Sequence, residues 1–150
     1  MKKTALKRTK PMARTPKTRK QKAKTKAHSP KKTTLRRKAD ALWRQIIVRR
    51  WGGHCAICHK ATSRDAHHLI TRGHLATRYS VRNGILLCPG CHVFSGALSA
   101  HMTPLAFSDW LEREHPDLRA WEREHRNDTI KATVGWYEGQ IELLTQLEKE

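Results

Sequence analysis

Apolar residues are almost absent from Met1 to Thr33, a stretch built from Lys, Arg, Thr and Pro (Lys10-Pro11, Thr15-Pro16, Ser29-Pro30). Such a segment buries too little surface to offset the entropy of ordering, so a disordered arm is predicted over residues 1–33. The pattern then changes. Thr33 or Thr34 can cap a helix whose apolar positions Leu35, Ala39, Leu42, Trp43, Ile46 and Ile47 recur at three- and four-residue spacing, and Gly52-Gly53 ends it. This helix is expected to cover the cysteine-bearing segment that follows, with Arg44, Arg49 and Arg50 at the surface. Ala66–Ile70 reads as a first short strand, Thr71–Tyr79 as a polar, basic loop, and Asn83-Gly84 as the start of the return into a second strand, Ile85–Leu87. The connection is too short for parallel pairing, so the strands are antiparallel.

Thr103-Pro104 then opens another helix, with the hydroxyl as cap and Pro at its first position; Phe107, Trp110 and Leu111 form its apolar face up to His115-Pro116. Pro116 opens a short helix with Leu118 and Trp121, and Val134, Tyr137, Ile141 and Leu144 line one face of a last helix. The five tryptophans, Trp43, Trp51, Trp110, Trp121 and Trp136, read as packing residues. The fold class is α+β: a small hairpin with flanking helices.

Charge adds a partner to this picture. The 150 residues carry 31 Lys and Arg against 13 Asp and Glu, and 17 of the 31 lie before Ala39, where no acid occurs. Asp40–Thr103 is cationic and Pro104–Glu150 anionic, so a polyanion is the expected partner, nucleic acid before membrane. The arm would neutralise phosphates, or act simply as a solubilising tail or a nuclear-localisation-like run. Ile46-Ile47-Val48 and Ile85-Leu86-Leu87 are far too short to cross a bilayer. The chain is therefore expected to be soluble and intracellular.

The four cysteines form two Cys-x-x-Cys pairs, Cys55/Cys58 and Cys88/Cys91. Their spacing points to a closed, structural zinc site in a reducing compartment, with an internal disulfide pair as the alternative. The long segment between the pairs holds His67-His68 and Asn83, and His92 directly follows the last cysteine.

This ordered set resembles the four-cysteine HNH endonucleases of phages, prophages and bacteria, over roughly Trp43–Trp110. The resemblance implies a ββα-metal (His-Me finger) hairpin clamped by zinc, with a helix from His92 packed across the hairpin, and it assigns roles. His68 would be the general base, His67 and His92 the ligands of a catalytic divalent ion, and Asn83 a brace holding the hairpin loop and, through it, the His68 ring. His67 and His68 would both reach the site from an irregular or bulged strand end. Mg2+ or Mn2+ is the implied ion, although two imidazoles also accept Ni2+, Co2+ or Zn2+. Some relatives carry a further histidine four residues after the last; here that position is Gly96. That leaves a two-ligand site, with His101 and Asp65 as candidates to assist it.

Arg72 and Arg78 read either as phosphate clamps or as surface arginines of the loop. His28, His54, His59, His74, His115 and His125 receive no role. The implied activity is hydrolysis of DNA phosphodiester bonds, by nicking or double-strand cutting, in the cytoplasm of a bacterial host. The implied organisation is a basic arm (1–33), a nuclease domain with its zinc knuckle (34–115) and a helical extension (116–150) able to meet a protein partner or a second copy. The competing reading is a non-catalytic, zinc-clamped nucleic-acid-binding adaptor.

Overall fold

The computed structural model describes residues 30–61 and 64–149. Its elements run α1 (Pro30–Arg50), β1 (Asp65–His68), β2 (Gly84–Leu87), α2 (Pro104–Glu114), α3 (Pro116–His125) and α4 (Val134–Lys149). A 3-10 turn, Val81–Asn83, leads into β2, and one π-type turn, Gly90–Phe94, follows it. The mixed α+β class and the two-stranded antiparallel hairpin agree with the sequence reading.

β2 is the centre of the molecule, because all four of its residues are buried and it has a core on each side. Side chains alternate across a strand. Ile85 and Leu87 accordingly enter one apolar cluster with Cys55, Cys88, Cys91, Phe107, Trp110, Leu111 and Leu118. Leu86 enters the other with Ala39, Trp43, Ile46, Ile47, Tyr79, Tyr137, Ile141 and Leu144. The order of layers is α1 and α4, then the hairpin, then the cysteine segment with α2 and α3. Residues 116–149 thus complete both cores: α3 supplies Leu118 to one and α4 covers α1 in the other.

Several expectations change in detail. α1 begins at Pro30, three residues before the expected cap, so Pro30–Thr33 is helical; the rest of the expected arm, residues 1–29, lies outside the described residues. Proline is tolerated in a first helical turn, where its missing N–H has no partner to lose. α1 packs on the hairpin and α4 rather than on the cysteine segment, because periodicity defines an apolar face without saying what covers it. It ends as expected. Gly52 and Gly53 take φ of 58° and 72°, and the Gly53 N–H donates to the Val48 carbonyl at 3.0 Å while Gly52 N–H donates to that of Arg49 at 2.9 Å, a Schellman closure.

The helix expected from His92 is only the turn Gly90–Phe94; Ser95 is extended (φ −74°, ψ 123°) and turns the chain back. Thr103 precedes α2, but its hydroxyl donates to the Ser99 carbonyl and accepts the Ser99 N–H instead of capping. Among the described residues, no helix is long and apolar enough to cross a membrane.

Candidate metal centres

The first centre is the cysteine cluster. Cys55 and Cys58 sit in a tight knuckle closed by the His59 N–H on the Cys55 carbonyl (2.9 Å) and the Cys55 N–H on that of Lys60 (3.0 Å), with His59 at φ 56°. The Ala56 N–H donates to the Leu86 carbonyl at 2.9 Å, fastening the knuckle to β2. Cys88 and Cys91 leave the end of that same strand, and all four cysteines are free thiols whose sulfurs lie within 4.8 Å of one another.

Cys58 Sγ and Cys88 Sγ are 3.7 Å apart. A tetrahedral zinc with bonds of about 2.3 Å sets its sulfurs roughly 3.8 Å apart, so the donor set fits. Burial opposes ionisation of Cys88, but the Cys91 N–H at 3.4 Å and the surrounding thiols bring it down to about 7. Burial and the same neighbours push Cys91 up. Thiols packed this closely ionise together only when a cation offsets their charge.

The second centre surrounds the hairpin. His67 pairs with Ile85 and His68 with Gly84 in a regular register, with no bulge across β1, so adjacent imidazoles leave on opposite faces. This corrects the expectation of a bulged strand end. His67 projects toward the π turn and α2, where its ring meets Phe107 edge-on at 5.7 Å. His68 projects toward α1 and lies flat on Trp43, with centroids 3.8 Å apart and planes at 13°. Among the described residues β1 pairs only with β2. A cleft of about 520 Å³ includes both imidazoles among its lining residues, together with Trp43, Arg72, His92 and His101.

On the His67 side, ring nitrogens of His67, His92 and His101 lie within 4.8 Å of one another. His92 Nδ1 is 3.6 Å from Asp65 Oδ2, while its Nε2 is 3.1 Å from His101 Nε2. Burial, followed by the charges of His92, His101 and His68, lowers the His67 pKa to about 3, so His67 is neutral at neutral pH. Burial and His101 also lower His92, against a raising effect of Asp65. Neutral imidazoles are the form that binds metal.

On the other side, His68 Nε2 is 3.0 Å from the Arg78 carbonyl oxygen. A carbonyl only accepts, so Nε2 carries the proton and Nδ1 the basic lone pair. Burial lowers the His68 pKa, the Arg78 carbonyl raises it, the Arg78 charge lowers it, Asp40 raises it and Arg72 lowers it, with the net effect downward. Asn83 fixes the loop that presents this carbonyl. Fully buried, it accepts the Ile70 N–H at 2.7 Å and donates to the carbonyls of Ile70 (3.0 Å) and Thr77 (3.1 Å).

The two loop arginines part company. Arg72 is exposed at the cleft. Arg78 is 3% exposed and holds both Asp40 oxygens at 2.9 Å, with a further bond to the Arg72 carbonyl. It is therefore a strut of the loop and unavailable as a phosphate clamp, since its donors are used internally. Arg44, Arg49 and Arg50 are exposed, yet each also donates to a backbone carbonyl: Arg44 to Arg64, Arg49 to Leu147 and Glu148, Arg50 to Val81.

Sequence reading missed Asp40 and the role of Trp43; it named His101 as a candidate to assist the site, without its place beside His92. Trp43 reads as core from its spacing, and it is core; its Nε1–H also donates to the Ser80 carbonyl at 2.9 Å, which fixes the indole beneath His68. The one local signal for His101 was the Ser99/Thr103 pair around it. No family model, no curated protein and no solved structure matches the chain.

Proposed function

We propose that this chain is a metal-dependent endonuclease of the HNH type that hydrolyses DNA phosphodiester bonds at the cleft across β1. The observation that carries the reading is the split of the histidine pair: His68, its tautomer set by the Arg78 carbonyl, lies on one face, and His67 with His92 lies on the other, along a single cleft. Hydrolysis needs a base beside a charge-stabilising centre, and a histidine serving only to fill a core needs neither.

In this mechanism His68 Nδ1 takes a proton from the attacking water, and its lowered pKa keeps it neutral for that task. Stacking on Trp43 and the Nε2–H bond hold the ring in one orientation. Asn83 is the brace behind that bond. His67 and His92 would hold a divalent cation, which when bound polarises a phosphoryl oxygen and stabilises the charge that develops there. The four thiols would hold a structural zinc that fixes the hairpin end. Arg72 reaches DNA phosphate from the cleft rim, and the basic residues of the chain's first segment supply affinity without sequence reading. On this reading the hairpin with the turn Gly90–Phe94 would do the work of a ββα-metal site, the turn standing where the resemblance implies a helix. Phage or prophage origin and action in a bacterial cytoplasm accompany this reading.

Supercoiled plasmid incubated with zinc-loaded protein tests it. With zinc limited to one equivalent for the thiols, nicked or linear product should form on addition of a further divalent ion (Mg2+, Mn2+, Co2+ or Ni2+) and be absent without it. Tight DNA binding with no cleavage under any divalent ion would replace the enzyme with the adaptor reading.

A further inference from the structure

The histidine cluster contains one more imidazole than the proposed mechanism uses. His101 stands nine residues beyond His92, outside any short metal-binding spacing, and yet its Nε2 lies 3.1 Å from His92 Nε2. Backbone structure puts it there. The Ala100 N–H donates to the Cys91 carbonyl at 3.0 Å, and the His101 N–H to the His92 carbonyl at 3.1 Å, so the returning chain is paired to the turn that carries His92.

The turn itself is locked. Ser99 is fully buried, its N–H donates to Thr103 Oγ1 at 2.8 Å, its carbonyl accepts from the Thr103 hydroxyl at 3.2 Å, and its own hydroxyl accepts the Met102 N–H at 3.1 Å. An exposed histidine on a turn held this way has lost backbone freedom before any ligand arrives.

The distances also suit one ion. Two donors in adjacent positions on a metal bound at about 2.0–2.1 Å lie roughly 2.9–3.4 Å apart. His92 and His101 meet that spacing, and His67 completes a set of three within 4.8 Å. Asp65, at 3.6 Å from the far nitrogen of His92, stands where an outer carboxylate orients a metal-bound imidazole.

We infer that His101 is a third protein ligand and that His67, His92 and His101 form a three-imidazole site for a borderline transition metal, Zn2+, Co2+ or Ni2+, in preference to Mg2+. The inference deepens the proposed function, resting on it for the role of His67 and His92 as ligands. Chemistry decides the metal class: Mg2+ is hard, prefers oxygen donors and gives up water reluctantly, whereas imidazole nitrogen suits the later first-row ions. A three-ligand set still leaves positions open for water and a phosphate oxygen.

The test is binding of Co2+ to the full chain carrying a single equivalent of zinc, held at the thiols, followed by calorimetry and by the visible d–d bands of nitrogen-ligated cobalt. Sulfur-to-cobalt bands in the near ultraviolet report any exchange at the thiols. The wild type should take up one further Co2+ that a large excess of Mg2+ fails to displace. His101→Ala should bind it more weakly by at least the roughly 10–100-fold that loss of even an outer partner costs. Its zinc content and melting temperature should stay unchanged, because His101 is exposed.

Failure of the wild type to bind Co2+, equal binding by His101→Ala, or ready displacement by Mg2+ would each overturn the inference. Plasmid cleavage, scored in parallel, keeps the two readings apart. Weakened Co2+ binding in His101→Ala alongside a wild type that never cuts DNA retains the three-imidazole site and removes the nuclease. Metal-dependent cutting alongside unchanged Co2+ binding in His101→Ala does the reverse.

Discussion

The two faces of β2 are built by different means. On the side of Ile85 and Leu87, the knuckle and the end of β2 converge on four thiols, with α2 and α3 closing over them. On the side of Leu86, large aliphatic and aromatic side chains of α1 and α4 make a continuous apolar contact that needs no cross-link. Each face supports one member of the histidine pair, His67 on the thiol side and His68 on the helical side. Metal binding and proton transfer should therefore be separable by damaging one face at a time.

The largest effect is expected from Cys88→Ser. A structural zinc contributes on the order of 10–16 kcal/mol in small zinc-dependent folds, comparable to or larger than the whole stability of a typical domain. Zinc content should fall to near zero, and the cooperative melting transition should disappear. A zinc-free variant that melts like the wild type would show that the thiol face stands without its clamp.

The helical face is more tolerant, and Gly84→Ala is the change that strains it. A Cβ at Gly84 would lie 2.5 Å from Ile47 Cγ1 and 2.8 Å from Trp43 Cζ2, so α1 must shift or its side chains leave their rotamers. Overpacking of this kind costs about 1–3 kcal/mol. A melting temperature lower by several degrees is expected, with full zinc occupancy and a slower cleavage step, because Trp43 supports His68. An unchanged melting temperature would mean that α1 does not seat on the hairpin as described.

The smallest expected effect is on pH dependence. His68 must be neutral to act as base, and its pKa in the folded protein lies below the ordinary value of about 6.5. Activity at saturating metal should thus persist below pH 6.5 and fall only as pH drops through the lowered value. An acid limb centred at or above 6.5 would contradict the burial of His68 beside Arg78.

Much of this arrangement was legible in the sequence, and the boundary follows contact range. The paired cysteines, Gly52-Gly53, Pro104 and Pro116 act on residues a few positions away, and each marks its element nearly where it stands. Gly84 reads as a turn residue, but its φ is −120°; what demands glycine there is the approach of Ile47 from another element. Arg78 reads as a phosphate clamp or a surface arginine because its partner, Asp40, lies 38 residues earlier. His101 reads as a candidate to assist the site but without a place in it, since its position depends on backbone pairing with His92 across a turn that no periodicity encodes.

The division of labour between the two faces is tested most directly by comparing His68→Ala with His92→Ala, measuring cleavage rate and divalent-metal affinity on the same zinc-loaded preparations. His68→Ala should lose about 10²–10⁴-fold in rate, the usual range for a general base, with metal affinity near wild type. His92→Ala should bind the catalytic ion more weakly and recover part of its activity as metal is raised. Cleavage by His68→Ala at the wild-type rate would contradict the assignment of the base and, with it, the proposed mechanism.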